Sequence, residues 1–375
     1  MLPYWLDDDL PSLKLRPLSG DPDVVVVGAG ITGCSAALHL ARRGLRVRLQ
    51  DSREVAAGAS GRNGGFALRG LSASFDTYCE SIGGQAASEV MRLTEQALEE
   101  MAGFAGDAFR RVGSLRVAMD EEERNELQRE LEALRSAGHA VEWRDALPGP
   151  LAGRATAALF HPTDGALQPA RLVRRLATLA ADAGAEIVEN RRLVSREEAG
   201  GAQIVVCTDG YPSGLLGPLE GLIVPTRGQV IATEPLAGRW FETPHYGRHG
   251  FDYWHQTPDG RLVAGGFRDT SLESEFTDEE VTTPHIVSAL EAFAAELAGR
   301  PVRVDYRWAG IFGLVLDFLP VVGAVPELER TWVAAGYSGH GNVLGYLCGR
   351  LVADAIIGDP HPVLGLFDPA RLIAH

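Results

Sequence analysis

Three glycine-rich stretches hold most of the positions at which this chain could meet a ligand: Gly28-Ala29-Gly30-Ile31-Thr32-Gly33, residues 58–65 and residues 336–341. The first has GxGxxG spacing, which suits a pyrophosphate. Gly28 permits a tight turn, Gly30 lets backbone approach the phosphates, and Gly33 lets a helix pack closely on a strand. A helix starting there presents its amides and positive dipole end to the phosphate charge. Asp51 follows Gly33 by 18 positions, where an acid that binds ribose hydroxyls belongs. The other two clusters imply backbone pressed against a long, flat ligand at several points. NAD would not need the C-terminal cluster. FAD would, because its ribityl chain and ring system extend well beyond one nucleotide-binding unit. No second strand-GxGxxG-helix unit offers a nicotinamide site.

The elements that must position these residues are legible around them. Val24–Val27 is a β-branched run suited to a buried parallel strand. A small-residue helix over 34–43 follows, stopped by Gly44, and a strand over 46–50 ends at Asp51. Together they make one β-α-β unit. Helices are predicted over 86–104, 120–137 and 169–183, and strands over 114–117 and 203–207. Between 221 and 308, strands alternate with turns such as Thr257-Pro258-Asp259-Gly260, the pattern of an antiparallel sheet. A strand at 331–335 and a helix at 342–357 return to the first style. The fold class is therefore α/β: a discontinuous nucleotide-binding domain from 1–85, 155–220 and 318–375, beside a mixed or antiparallel α+β domain from 86–154 and 221–317.

Composition narrows the partners. Of 375 residues, 35 are Lys or Arg and 50 are Asp or Glu, a formal net charge of −15. Nucleic acid and anionic membranes both call for a cationic face, so neither is an expected partner. Four dispersed cysteines form no CxxC, which argues against a disulfide framework and for a reducing compartment. Asp7-Asp8-Asp9 stands where a secretory signal carries positive charge, so a cytoplasmic location is expected. His245 and His249 are four apart, but Pro244, Gly247 and Gly250 break any helix that would align them, and no metal is expected.

Residues 58–65, Trp308-Ala309-Gly310-Ile311-Phe312-Gly313 and residues 334–341 resemble the D-amino-acid oxidase family of FAD-dependent oxidoreductases, and most of all its gamma-glutamylputrescine oxidoreductase branch. The likeness runs over nearly the whole chain. It implies that the two domains are a Rossmann-type FAD-binding domain and a substrate domain. It also implies oxidation of a C–N bond at the flavin to an imine that water hydrolyses. By the same resemblance, Gly28, Gly30, Ile31, Thr32 and Gly33 match the pyrophosphate loop, Asp51 the ribose acid, and Ser52 and Arg53 its neighbours. Ser60, Gly61, Arg62, Asn63 and Gly64 match a segment that runs past the flavin. Leu193 or Val194 stands where backbone meets adenine, and Thr208 and Gly210 at the second phosphate-side turn. Gly339, His340, Gly341 and Asn342 match the C-terminal flavin loop.

Three departures from the family pattern bear on the site. Residues 193–207 are too few for the extra β-hairpin the family inserts there. Gly310 stands at the position where sarcosine oxidases attach flavin covalently, so the FAD is expected to be non-covalent. Leu316-Asp317-Phe318 replaces a Pro-Asp-Gly turn.

On the substrate side, His340 lies between two glycines and is expected to touch flavin or substrate. Tyr253 and Trp254 belong to a strand expected to cross the flavin face. Phe312 occupies the position where glycine and D-amino-acid oxidases place a carboxylate-binding arginine, and Val343 that of a sarcosine oxidase lysine. A small α-amino acid would then lack its clamp. Arg69 is either an outlying anion site or a solvated surface residue. The expected substrate is thus a polyamine- or gamma-glutamylputrescine-like amine, with oxidation of glycine, sarcosine or D-amino acids as the alternative. A non-catalytic FAD-binding assembly factor or redox sensor is the alternative of another class. Oxygen or another acceptor takes the electrons. Lys14 is the only lysine and lies in the N-terminal leader, so slow use of oxygen is expected, with an arginine or a protonated His340 as a possible electrostatic substitute.

Overall fold

The structure is a computed structural model that describes residues 2–13, 15, 17, 20–147 and 149–373. Lys14, on which the expectation about oxygen rests, lies outside the described residues. A six-stranded sheet orders its strands Val321–Ala324, Thr331–Ala335, Gln203–Val206, Val24–Val27, Val47–Gln50 and Glu186–Val188. Every pairing in it is parallel except that between Val321–Ala324 and Thr331–Ala335. The four valines of the central strand are all buried, as a strand covered on both faces requires.

The first helix, Ile31–Arg42, begins three residues earlier than the sequence predicts, with Gly30 as its N-cap. Its contact with the strand is backbone to backbone: a Cβ on Gly33 would stand 1.9 Å from the Gly28 carbonyl oxygen. The last long helix, Val343–Ile356, crosses it at Gly349, where a Cβ would come within 2.4 Å of the Thr32 carbonyl oxygen. Small residues thus let these two helices and the sheet close on one another.

An eight-stranded sheet lies beside this unit, running in order from Val304–Leu314 through Val224–Pro235, Arg261–Gly266, Asp252–Gln256, His245–Gly247, Ser114–Ala118 and Ala157–His161 to Glu142–Arg144. It is antiparallel apart from the pairing of His245–Gly247 with Ser114–Ala118. Its register sets two faces. One row runs Trp308, Val230, Gly265, Tyr253, Tyr246 and Arg116 across adjacent strands. The next runs Ile231, Ala264, Trp254 and His245. Successive strand residues face opposite sides. The first row therefore looks toward the six-stranded unit, whose core includes Trp308 and Val230. The second packs on the helix Pro284–Ala298 through Ile286, Leu290 and Ala294.

Two expected boundaries move. The strand Ala157–His161, placed by sequence with the nucleotide domain, pairs with Ser114–Ala118 in the larger sheet. The helix Gly84–Ala105, placed with the substrate domain, packs against Val343–Ile356 and shares the core of the six-stranded unit through Leu98 and Met101. Both depend on which distant surface an amphipathic element covers, and its own pattern does not carry that. A three-stranded sheet of Phe66–Ala67, Gly165–Leu167 and Phe109–Arg110 joins the two regions.

Candidate functional site

The GxGxxG turn is held from the side by two residues of the loops that follow. Asp51 accepts the Ala29 amide at 2.7 Å and the Arg53 amide at 2.8 Å. Ser60 Oγ accepts the Ile31 amide at 2.9 Å, and the other first-turn amides have no carbonyl four residues back within the helix, the arrangement that suits an anion. The Thr32 hydroxyl donates to Tyr337 OH at 3.0 Å, so it braces the C-terminal loop. Asn63 and Asn342 tie the second and third glycine clusters together. The two amides bond each other at 3.1 Å, Gly65 N–H donates to Asn63 Oδ1, and Asn342 Nδ2 donates to the Phe66 carbonyl at 2.7 Å. Half-buried Asp209, which the sequence reading passed over, accepts amides from Gly313 at 2.9 Å and Gly336 at 2.8 Å. One carboxylate thus pins both the long strand of the larger sheet and the C-terminal loop. Burial raises its pKa while these amide bonds oppose the rise.

Between these parts lies a cavity of about 680 Å³. Its wall includes Gly30, Ile31, Thr32, Ser60, Arg62, Asn63 and Gly64 on one side, and Gly339, His340, Gly341 and Asn342 on another. Gly310, Phe312 and Tyr253 of the larger sheet close it. The glycines keep it open. A Cβ at Gly64 would stand 2.9 Å from the Tyr253 ring, and one at Gly310 would stand 2.9 Å from Arg62 Cβ. Tyr253 lies flat over Gly265, where a Cβ would come within 2.3 Å of its ring.

The remaining expected cofactor residues do not line this cavity. Gly28, Gly61 and Gly210 are packing glycines whose Cβ atoms would strike Cys207, Ala56 and Phe312 backbone at 2.6, 2.1 and 2.4 Å. Gly33 is the helix contact described above. Asp51, Ser52, Arg53 and Thr208 lie outside the lining, and Asp51 reaches the glycine turn through the Ala29 amide. Arg53 pairs with Glu280 at 2.9 Å, and Tyr211 OH and Arg62 bond the same carboxylate. Leu193 is buried in the sheet's second core, and Val194 is 66% exposed. A single 3₁₀ turn, Arg196–Ala199, spans the stretch where the family hairpin would be.

Two of the expected catalytic positions are corrected. Trp254 faces away from the cavity: its ring stacks on His245 at 5.2 Å and meets Phe241 and Phe293 edge-on. One register step separates it from Tyr253, and that step reverses the face. Arg69 lines the cavity, but it is neither solvated nor available for an anion. Its side chain is 1% exposed, and it bonds Glu95, the Ala140 carbonyl and His161 Nδ1. Removing its side chain would take the ion-pair partner at 3.9 Å from the buried carboxylate of Asp164. Breaking a buried ionic arrangement of this kind costs about 3–5 kcal/mol.

His340, Tyr246, Tyr253 and Phe312 form the wall that faces the glycine floor. Burial, and then Arg116, push the His340 pKa down to about 4, so its ring is neutral near pH 7. Its Nδ1 is buried without a partner among the described residues, and its ring leans on Tyr246 at 5.8 Å. The tyrosine hydroxyls likewise show no protein hydrogen bond among the described residues. Sequence reasoning also missed Arg268, which follows the strand Arg261–Gly266 and reaches the same wall. Its guanidinium carbon lies 4.7 Å from the Phe251 ring and 5.6 Å from the Phe312 ring. A cation is thus present over the very ring at which the sequence suggested that none was available.

These features fit FAD. A helix N-terminus opens on one end of the cavity, bare glycine backbone follows along its length, and an unpartnered buried His340 Nδ1 stands at the other end. Gly310 has no side chain to form a bond, and burial keeps the thiol of Cys207, the one cysteine lining the cavity among the described residues, well above its ordinary pKa. FAD is therefore expected to leave with the supernatant when the protein is precipitated with acid. Yellow colour retained in the pellet would contradict non-covalent binding.

The model of the family described as FAD dependent oxidoreductase (DAO) matches residues 23–355. The chain is 27% identical to probable oxidoreductase OrdL of Haemophilus influenzae, covering 95% of this chain and 88% of that protein. It is 29% identical to gamma-glutamylputrescine oxidoreductase of Escherichia coli, covering 90% and 84%, and 28% identical to glycine oxidase of Geobacillus kaustophilus, covering 89% and 92%. The solved L-proline dehydrogenase of P. horikoshii superposes with a TM-score of 0.76 at 20% identity, over 94% of this chain and 98% of that one. Among the described residues no helix is long and apolar enough to cross a membrane. From the match over most of its length, with the glycine-lined cavity where the cofactor fits, the chain belongs to the DAO family of FAD-dependent oxidoreductases.

Proposed function

We propose that this protein oxidises the C–N bond of a small amine to an imine, with a polyamine- or gamma-glutamylputrescine-like compound as the substrate class. The observation that carries this reading is the half-buried aromatic wall of Tyr246, Tyr253, Phe312 and His340 over the glycine floor. An ammonium ion loses hydration on entering such a wall, and desolvation favours its unprotonated form, which is the form that can be oxidised. Bound FAD supplies the hydride acceptor, so no side chain has to act as a base on the C–H bond. What the residues do is exclude water and hold the C–H against the floor, and such positioning accounts for much of the barrier reduction in reactions of this type. The 29% identity to gamma-glutamylputrescine oxidoreductase supports the choice of substrate class. The amino-acid reading is favoured by one observation, the cation of Arg268.

The test is anaerobic reduction. Loss of the flavin absorbance on mixing with putrescine, gamma-glutamylputrescine, sarcosine, glycine or D-alanine reports reduction of the flavin by the amine, with no external acceptor needed. The expected result is bleaching fastest with the glutamylated polyamine. A flavin that none of the five reduces would contradict amine oxidation.

A further inference from the structure

We propose that Arg268 is the substrate's anion anchor, so that the amine oxidised here also carries a carboxylate. This rests on the proposed amine oxidation and names the second group that its substrate presents.

Other arginines along the cavity wall are matched by carboxylates. Arg62 reaches Glu280 at 3.3 Å, Arg116 reaches Glu130 at 2.6 Å, and Arg69 bonds Glu95. Arg129 lies 4.0 Å from Asp76. Arg268 has no carboxylate, carbonyl or hydroxyl partner at hydrogen-bond distance among the described residues. The neighbouring Asp269 is engaged by Arg248 at 2.8 Å. A half-buried guanidinium without a counter-charge is costly. Arg227, behind the sheet, by contrast pairs with Glu275 at 2.8 Å. Burial lowers the Arg268 pKa, and the nearby Tyr253 and Tyr246 oppose the shift.

What holds Arg268 instead is a pair of aromatic faces. Phe251 and Phe312 attract the cation through their π-systems without consuming an N–H donor or neutralising the charge. The planar fork that pairs with a carboxylate in two parallel hydrogen bonds is left unspent. The hydroxyls of Tyr246 and Tyr253 stand on the same wall, also without protein partners among the described residues. Three uncommitted donor groups thus converge where sequence gave only Phe312. The cation comes from the end of a different strand, and the phenyl ring at 312 serves as its platform.

The probe is propionate, which carries the carboxylate and no oxidisable nitrogen. It is titrated against the holoenzyme and followed by the change in flavin absorbance. Propionate is expected to bind at least tenfold more tightly than propionamide. Arg268→Met should weaken propionate at least tenfold at unchanged flavin content, and Arg268→Lys should fall between, since it keeps the charge and loses the fork. In turnover, Arg268→Met should lower kcat/KM for sarcosine or gamma-glutamylputrescine at least tenfold further than for putrescine. Equal binding of propionate and propionamide by the unaltered enzyme overturns the proposal, and so does a propionate affinity that Arg268→Met leaves unchanged. If Arg268→Met fails to retain flavin, the Arg268→Lys titration and the propionate–propionamide comparison still decide. Should no amine bleach the flavin, amine oxidation fails as the function, while the titration separately accepts or rejects Arg268 as an anion site.

Discussion

Gly30→Val is expected to strip the flavin from a protein that still folds. Gly30 caps the first helix with φ of −81°, a conformation open to any residue, so the backbone itself tolerates valine. The side chain does not fit. Its Cβ would stand 2.8 Å from Ser60 Oγ, which holds the Ile31 amide, and its methyl groups would enter the cavity beside the helix N-terminus. Phosphate charge would lose both its approach and the aligned amides. A loss of FAD affinity of at least about 100-fold, roughly 2.7 kcal/mol, is the expected size. The flavin-to-protein absorbance ratio, with far-UV circular dichroism as the check on folding, measures it. A normal ratio would mean that the turn is structural only. Gly28 and Gly33 make poor tests, because a Cβ at either meets backbone oxygen, and substitution there is expected to disrupt the sheet–helix contact itself.

Stability is expected to fall steeply as pH drops from about 6.5 to 4. Burial pushes His340 and His245 down to about 4 and His255 to about 3, whereas in the unfolded chain each titrates near 6.5. Between those values the unfolded state binds more protons than the native state, so acid favours unfolding. The contribution of each is fully present above about pH 6.5 and is lost as pH falls through the folded value. It is on the order of 3 kcal/mol apiece. Asp164 acts in the opposite direction, because burial raises it to about 6 and the native state takes up its proton first. Burial raises Asp209 and Asp354 as well, but it also lowers His39 and His161, so the histidines outweigh the acids. Denaturant midpoints at pH 7 and pH 4.5 give the comparison, and equal midpoints would contradict the buried neutral state. His340→Asn removes one titrating group and should make the pH dependence shallower.

What the sequence alone determined is local. The strand, turn and helix around Gly28, Gly30 and Gly33 are adjacent in the chain, and their chemistry follows from the missing Cβ atoms and the helix N-terminus, whatever lies far away. Asp51 belongs to the same unit and reaches back to the Ala29 amide. The third glycine cluster was legible because a flat ligand requires bare backbone, Asn342 only through the family resemblance, and the structure brings that cluster to the second one through paired asparagine amides.

The substrate wall was decided by long-range register. Tyr253 and Trp254 look equivalent in the sequence, but pairing with Gly265 and Tyr246 points the first at the cavity, and pairing with Ala264 and His245 points the second at the helix behind. Arg69 follows a glycine-rich segment that looks exposed, yet Glu95 and His161, distant in sequence, enclose it. Arg268 carries no motif, and only the crossing of its strand end with Phe251 and Phe312 makes it a cation on the cavity wall. A side chain's type is written locally. Its partners and the face it presents are set by contacts between segments that may lie hundreds of residues apart, and those contacts form only when the sheets assemble.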